Sequence, residues 1–173
     1  MTALSADQRR VVVQIAAATV YSAVVMWVGA TQLAVDPAVT TNRLPFVLGW
    51  LLLPGLCLLA AIVRVGMSRF NDSATFDGSP PPAGSHAEID RRCLQNTLEQ
   101  VVLAAIGWIV LALALPSFHL GVIPAMAVSF VFARLCFWIG YRRSGASRAF
   151  GFAATFLPTV ASYAWTLLLV FTN

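Results

Sequence analysis

The sequence contains no lysine and little charge of any kind, since only 10% of its 173 residues are charged. Soluble domains carry about 25% charged residues, so this composition excludes an ordinary water-soluble domain. All eleven basic residues are arginines. They lie near the ends of apolar blocks rather than in one basic patch, and we therefore expect no nucleic-acid partner.

Cysteine and histidine are also scarce, with three and two residues. Cys57, Cys93 and Cys136 lie within or at the edge of apolar blocks, and an odd number of cysteines predicts no disulfide framework. Neither His86 nor His119 stands at a spacing from a cysteine that is typical of a zinc or haem site. We therefore predict no metal site.

Hydrophobic residues make up 59% of the chain, and its mean hydropathy is +0.80. They form five blocks of about twenty residues or more, each long enough to cross roughly 30 Å of hydrocarbon as a helix. Backbone groups in lipid must be satisfied internally, so the sequence predicts an all-α integral membrane helix bundle. The blocks are 11–35, 44–67, about 91–115, 118–141 and 149–171, joined by turns at 36–43 and 116–119 and a Pro/Gly/Ser-rich loop at 70–90.

The arginines divide unequally between the two ends of these five spans. Only Arg43 falls at one end, and Arg134 lies inside the fourth block. Basic residues mark the cytoplasmic side, so we predict a multi-pass protein with a cytoplasmic N-terminus and an external C-terminus. The other nine fall at the predicted cytoplasmic end: Arg9, Arg10, Arg64, Arg69, Arg91, Arg92, Arg142, Arg143 and Arg148.

The third block opens with polar side chains that neither lipid nor topology requires. Arg92, Asn96 and Glu99 stand at i, i+4 and i+7, and a turn of about 100° per residue places them on one stripe of a helix. Asn96 and Glu99 do not orient the chain and pack poorly against lipid. From the residues alone, a ligand site and a structural interhelical hydrogen bond are equally consistent with the stripe.

The fourth block carries a second stripe at Arg134, Phe137 and Tyr141, which stand at i, i+3 and i+7. An arginine inside an apolar span costs about 2.5–3.5 kcal/mol on insertion scales, so Arg134 needs a partner in the bundle interior. Glu99 lies at a similar depth from the same end of the third block. We therefore predict an ion pair between Glu99 and Arg134.

These two segments resemble the MAPEG superfamily, the membrane-associated proteins of eicosanoid and glutathione metabolism. The second core helix of that family typically carries R-x-x-x-N-x-x-E, which matches the run from Arg92 to Glu99. Its third core helix often ends in a run like FARLxYxxGY, which matches FARLCFWIGY from Phe132 to Tyr141. The resemblance covers residue 44 to the C-terminus, with Arg143-Ser144 and Arg148 continuing it.

The resemblance implies a four-helix core at 44–173 and an extra N-terminal transmembrane helix with its turn at 1–43. It further implies a homotrimer that binds glutathione as co-substrate between subunits, near the cytoplasmic face. Arg148 would stabilise the thiolate, and either Arg64 or Arg69 would supply an arginine from the first core helix. The residues implied to hold the tripeptide are Arg92, Asn96, Glu99, Arg134 and Tyr141.

The chemistry of glutathione agrees with these residue types. Its two carboxylates suit bidentate hydrogen bonds from arginine guanidinium groups, and its ammonium group suits a carboxylate. A nearby guanidinium would favour the nucleophilic thiolate, while a lipophilic substrate could arrive from the bilayer. Phe137 and Gln100 depart from the leukotriene-synthase type, which has tyrosine at both positions.

Three functions remain open at this stage. The first is a glutathione transferase or glutathione-dependent peroxidase that acts on lipophilic electrophiles or lipid hydroperoxides. The second is a noncatalytic lipid-binding member of the same fold. The third is a small structural membrane subunit whose polar stripes only hold a complex together.

Overall fold

A computed structural model describes residues 4–36, 38, 41–71, 75–143 and 145–172. Within these ranges the chain forms five long α-helices and no β-strand, which confirms the predicted all-α membrane bundle. Each of the five is long and apolar enough to cross a membrane. The helices are α1 (Ala6–Gln32), α2 (Arg43–Phe70), α3 (His86–Ala114), α4 (Val122–Arg143) and α5 (Ala149–Thr172).

The loop expected at 70–90 is shorter than predicted, because α2 continues through Phe70 and α3 begins at His86. The Ser85 hydroxyl accepts the Glu88 N–H at 3.2 Å, and the Glu88 carboxylate accepts the Gly84 N–H at 2.6 Å. These hydrogen bonds satisfy backbone donors at the start of α3 and draw the end of the expected loop into the helix.

Two of the remaining connections contain short 3-10 turns. A 3-10 turn at Ser117–His119 lies within the turn predicted at 116–119, and a second at Gly145–Arg148 precedes α5. Some expected features lie outside the described residues: 37, 39 and 40 in the first turn, 72–74 in the loop, and Ser144.

The extra helix α1 packs against α4 and α5, whereas α2 packs against α3 and α4, and α3 also contacts α5. We use the term arginine-rich end for the N-termini of α1, α3 and α5 together with the C-termini of α2 and α4. The opposite half of the bundle is filled by apolar side chains, including Val47, Trp108, Leu111, Ile123, Met126 and Phe130.

Arg43, the single arginine at the opposite end, closes the C-terminus of α3. Its guanidinium donates to the carbonyl oxygens of Ala112 at 3.3 Å, Leu113 at 3.1 Å and Leu115 at 2.6 Å, and to the Ser117 hydroxyl at 3.0 Å. The last carbonyls of a helix lack intrahelical partners, so this arginine satisfies them. Its isolated position therefore has a structural cause.

A buried carboxylate joins three helices at the arginine-rich end. The Asp90 side chain is 7% exposed and accepts from Arg64 Nε at 2.8 Å and from Arg142 Nη2 at 3.1 Å. Because the three residues come from α3, α2 and α4, this ion-pair cluster fixes the arginine-rich ends of those helices beside one another.

Two glycines allow the chain to pass close to α4 as it enters α5. A Cβ atom on Gly140 would overlap the Ser147 carbonyl oxygen, and one on Gly151 would overlap the backbone nitrogen of Phe137. Only glycine permits this approach without displacing the backbone. The close contact brings Arg148, which lies between these segments, against the end of α4.

Candidate functional site

A groove of about 560 Å³ opens at the arginine-rich end and is lined by α1, α3, α4, α5 and the turn before α5. Its volume falls within the range of about 300–1,000 Å³ that is typical of small-molecule sites. Four polar side chains form one part of the lining: Arg92, Asn96, Tyr141 and Arg148. Its apolar part includes Val11, Ile15, Phe137, Phe152, Phe156 and Leu157.

The two arginines of the groove differ in how their charges are compensated. Arg92 donates to the Glu88 carboxylate at 2.6 Å and lies close to the Tyr141 hydroxyl. Arg148 instead places its Cζ atom 4.4 Å from the centre of the Tyr141 ring, a cation–π geometry. Among the described residues no carboxylate pairs with Arg148, so its positive charge is available to a bound anion.

A third arginine, Arg134, lies behind the groove and is 1% exposed. Its guanidinium donates to Asn96 Oδ1 at 3.0 Å, Thr97 Oγ1 at 3.1 Å and Thr155 Oγ1 at 3.5 Å. Its Cζ atom also lies 4.0 Å from the centre of the Phe137 ring. These partners are neutral, so they accept from the two terminal nitrogens of the guanidinium without neutralising its charge, and Nε has no hydrogen-bond partner among the described residues.

The predicted ion pair between Glu99 and Arg134 is wrong. Glu99 accepts from Gln95 Nε2 at 3.0 Å on the exposed face of α3, whereas Thr97 on the same helix reaches Arg134. Residues 97 and 99 are separated by about 200° around a helix, so only one of them can face α4. The prediction compared only how deep Glu99 and Arg134 lie along their helices, and it did not include this rotation.

The contact with Arg134 determines which atoms Asn96 offers to the groove. A guanidinium can only donate hydrogen bonds, so the amide atom that faces it must be the oxygen. The Nδ2 amino group is then the donor that Asn96 presents to a ligand. Arg134 thus acts as a positioning residue for a side chain that lines the groove.

A second cavity of about 370 Å³, which we call the outer-face cavity, lies along the exposed side of α3. Arg92 and Asn96 line both this cavity and the groove, and Glu99 lines only the outer-face cavity. Its whole lining comes from α3, because the remaining members are Arg91 and Gln95. A polar face of a membrane-spanning helix is therefore open to its surroundings in the single chain.

Neither candidate arginine of the first core helix, α2, lines the groove. Arg64 belongs to the ion-pair cluster with Asp90 and borders a separate cavity of about 170 Å³. Arg69 borders another small cavity near the loop after α2. The groove thus brings together four of the six predicted site residues, with Arg134 directly behind it and Glu99 on the adjacent outer face.

Sequence reasoning missed Asp90, which it placed in the loop, and the two threonines that hold Arg134. The sequence did contain a pattern that could have indicated them. On α3 a buried face is formed by residues spaced three or four apart, namely Asp90, Cys93, Thr97 and Gln100. The described residues include no cluster of three or more His, Cys, Asp or Glu side chains that could hold a metal ion.

Comparison with known proteins identifies the family. The family model described as "MAPEG family" matches residues 44–168, which covers α2 to α4 and most of α5. Transmembrane protein 79 of Mus musculus is 30% identical over 84 residues, which is 49% of this chain and 22% of the mouse protein. No solved structure gives a significant match. Because the family match includes well over half of the sequence, this multi-pass membrane protein belongs to the MAPEG family.

Proposed function

We propose that the protein binds glutathione in the groove and uses its thiolate to conjugate or reduce lipophilic substrates. The observation that carries this proposal is a pair of arginines, Arg134 and Arg148, that have no carboxylate partner among the described residues and lie at the polar part of a groove whose remaining lining is apolar. Such a site combines attraction for an anion with a surface suited to hydrocarbon.

Charge supports an anionic ligand. A buried guanidinium is costly unless a negative charge compensates it, and the three described acceptors of Arg134 are all neutral. Glutathione carries two carboxylates and one ammonium, so it brings net negative charge that increases when the thiol ionises. Its carboxylates would pair with guanidinium forks, for which Arg92 and Arg148 are the exposed candidates.

The outer-face cavity extends this interpretation to the ammonium group. Glu99 lies on it, and Arg92 and Asn96 connect it to the groove. A ligand of glutathione's length could span both cavities, with its amine near Glu99 and its thiol near Arg148. The guanidinium of Arg148 would lower the pKa of that thiol, which is about 8.5 for an ordinary cysteine.

Two reactions follow from a bound thiolate. With an unsaturated aldehyde, a sulfur–carbon bond forms at the β-carbon, the π electrons move toward the carbonyl, and water supplies the proton at the α-carbon. With a hydroperoxide, the thiolate sulfur bonds to the distal oxygen as the O–O bond breaks, which gives a sulfenic acid, and the leaving alkoxide takes a proton from water to become an alcohol. A second glutathione then releases water and yields the disulfide. Both begin with the same activated nucleophile.

The test is glutathione binding to purified protein by calorimetry, with thiolate followed by its ultraviolet absorbance. We expect Asn96→Leu/Glu99→Gln to weaken binding by about 100-fold, because a hydrogen bond from Asn96 and the carboxylate charge that would pair with the ammonium are lost. Arg148→Ala should lose the thiolate signal. The matched control is Arg143→Ala, which removes an exposed arginine at the same end outside the groove lining.

The absence of saturable binding at millimolar glutathione would contradict the proposal. A noncatalytic lipid-binding function would then be the second candidate, which the apolar lining and the missing hydroxyl at Phe137 favour. Saturable fatty-acid binding without thiol turnover would support it. Loss of assembly in Asn96→Leu without any ligand effect would instead support a structural subunit.

A further inference from the structure

The groove has one wall that the family region does not supply. Val11 and Ile15 of α1 line it together with Phe152, Phe156 and Leu157 of α5. The family match begins at residue 44, after α1 has ended. A segment outside the shared core therefore shapes the cavity that contains the candidate site.

Specific contacts hold α1 in this position. Gln14 Oε1 accepts the backbone N–H of Phe150 at 3.1 Å, in the first turn of α5. That N–H is one of the donors that a helix cannot satisfy internally, so the hydrogen bond fixes α1 to the start of α5. The Tyr21 ring packs about two turns further along α1, with its centre 5.8 Å from the Phe150 ring and 5.7 Å from the Phe132 ring.

The part of the groove beside α1 suits a hydrocarbon chain. The rings of Phe152 and Phe156 are stacked with centres 5.6 Å apart, and Val11, Ile15 and Leu157 add aliphatic surface. None of these five side chains carries a hydrogen-bonding group. Ile15 is 44% exposed and Phe152 is 37% exposed, so the groove borders the membrane between α1 and α5.

We infer that α1 forms the substrate-selecting wall of the groove, and that Val11 and Ile15 set the length and bulk of the hydrocarbon tail that a lipophilic electrophile can place there. This inference rests on the proposed glutathione chemistry for the reacting end of the substrate. The tail would lie along the apolar part of the groove, and its electrophilic carbon would reach the polar part near Arg148.

The test uses the full chain in lipid nanodiscs and the variant Val11→Trp, which fills the groove from α1. The matched control is Val13→Trp, because Val13 is 67% exposed and lies about 200° around the helix from Val11. The probes are trans-hexenal and trans-tetradecenal with glutathione. Affinity for glutathione is followed by calorimetry in parallel.

We expect Val11→Trp to lower kcat/KM for tetradecenal by at least about tenfold, the effect of excluding roughly two buried methylene groups. The value for hexenal and the glutathione affinity should change little, and Val13→Trp should behave as the unaltered protein. Ile15→Ala provides a variant with a smaller side chain if Val11→Trp folds poorly, and it should shift the preference toward bulkier tails. Equal effects on both aldehydes, or none, would overturn the inference.

Binding of cis-parinaric acid in the absence of glutathione separates this inference from the proposed function. One outcome supports the role of α1 and contradicts the proposed glutathione chemistry: glutathione neither binds nor reacts, but Val11→Trp, unlike Val13→Trp, abolishes parinaric acid binding. The opposite outcome contradicts the role of α1 and supports the glutathione chemistry: glutathione turnover is normal, and Val11→Trp changes neither the aldehyde preference nor parinaric acid binding.

Discussion

Arg134 shows how a charged side chain is held in the interior of this bundle. It is almost fully buried, yet its partners are an amide, two hydroxyls and an aromatic ring rather than a carboxylate. This arrangement provides acceptors for the two terminal nitrogens of the guanidinium and leaves the positive charge to act on the neighbouring groove. The same contacts orient Asn96, so one residue contributes both charge and positioning.

Replacing Thr97 by valine tests the support of Arg134. Valine keeps the shape but removes the hydroxyl that accepts from Nη2 at 3.1 Å. We expect the free energy of unfolding to fall by about 1–3 kcal/mol, because a buried guanidinium N–H loses its acceptor. Thermal melting in detergent measures the change. Thr19→Val is the control, since that exposed hydroxyl only bonds a carbonyl of its own helix, and an equal effect there would contradict the prediction.

At the scale of elements, α3 carries two kinds of polar side chain on different faces. Asp90 and Thr97 point into the bundle and bind arginines from other helices, whereas Gln95 and Glu99 bind each other on the exposed face. Asn96 lies between these faces, because it accepts from Arg134 in the interior and also lines the outer-face cavity. The helix therefore contributes to packing and to the candidate site through neighbouring positions.

Asp90→Asn tests the joint between α2, α3 and α4. The neutral side chain keeps its size but loses the charge that two guanidiniums share. Because both arginines are partly exposed, solvent screens part of the effect, and we expect a loss of about 1–3 kcal/mol in unfolding free energy. Thermal melting in detergent would report it. Asp7→Asn, at an exposed position in the first turn of α1, should leave the melting temperature nearly unchanged.

Gly151→Ala tests the contact between α4 and α5. The added methyl group would overlap the backbone of α4 at Phe137, which cannot move aside as a flexible side chain could. We expect destabilisation of about 1–3 kcal/mol and weaker glutathione binding, because α5 carries part of the groove. Gly55→Ala in α2 is the control, since its Cβ would meet no atom within 4 Å. If both variants melt alike, the close contact has no energetic role.

At the scale of the whole molecule, charge and polarity make two predictions about the surroundings. The nine arginines at one end predict that this end faces the cytoplasm, with the groove at that membrane edge. The open outer face of α3 predicts a covering partner, since polar side chains at membrane depth rarely face lipid. We propose that a second copy of the chain covers it within a homotrimer.

Topology can be checked with paired reporters fused to the termini, one fluorescent only in the cytoplasm and one active only outside it. We expect the N-terminal fusion to fluoresce and the C-terminal fusion to show external activity, because five spans place the termini on opposite sides. Both termini on one side would contradict this topology. A variant with Arg9 and Arg10 replaced by glutamine should orient less uniformly.

Native mass spectrometry from detergent tests the oligomer. We expect a trimer that is weakened by Glu99→Leu/Gln95→Leu, because these substitutions remove two of the five polar side chains on the outer face that a neighbouring chain would satisfy. Leu98→Ala on the same helix is the control, since Leu98 is exposed and lies outside the outer-face cavity lining. A monomer throughout would contradict the assembly.

The sequence by itself determined the membrane class, the five helices and the family. Apolar blocks of sufficient length must be helical in lipid, and the motifs at Arg92–Glu99 and Phe132–Tyr141 lie on consecutive helices that the family model matches. The start of α3 lies earlier in the chain than predicted. That start is set by the cap from Ser85, which a division of the chain by composition did not reveal. The division at residue 43 and the roles of the site residues remain predictions.

Only the tertiary structure decided the partners of these residues. Linear spacing gives depth along each helix, but the rotation of one helix against another determines whether Thr97 or Glu99 meets Arg134. The tertiary structure also places α1 beside α5. There Val11 lines a groove that no local pattern in residues 6–32 predicts. Apolar helices pack through nonspecific contacts, so their arrangement depends on close approaches such as that at Gly151 and on sparse polar contacts such as that of Gln14 with α5.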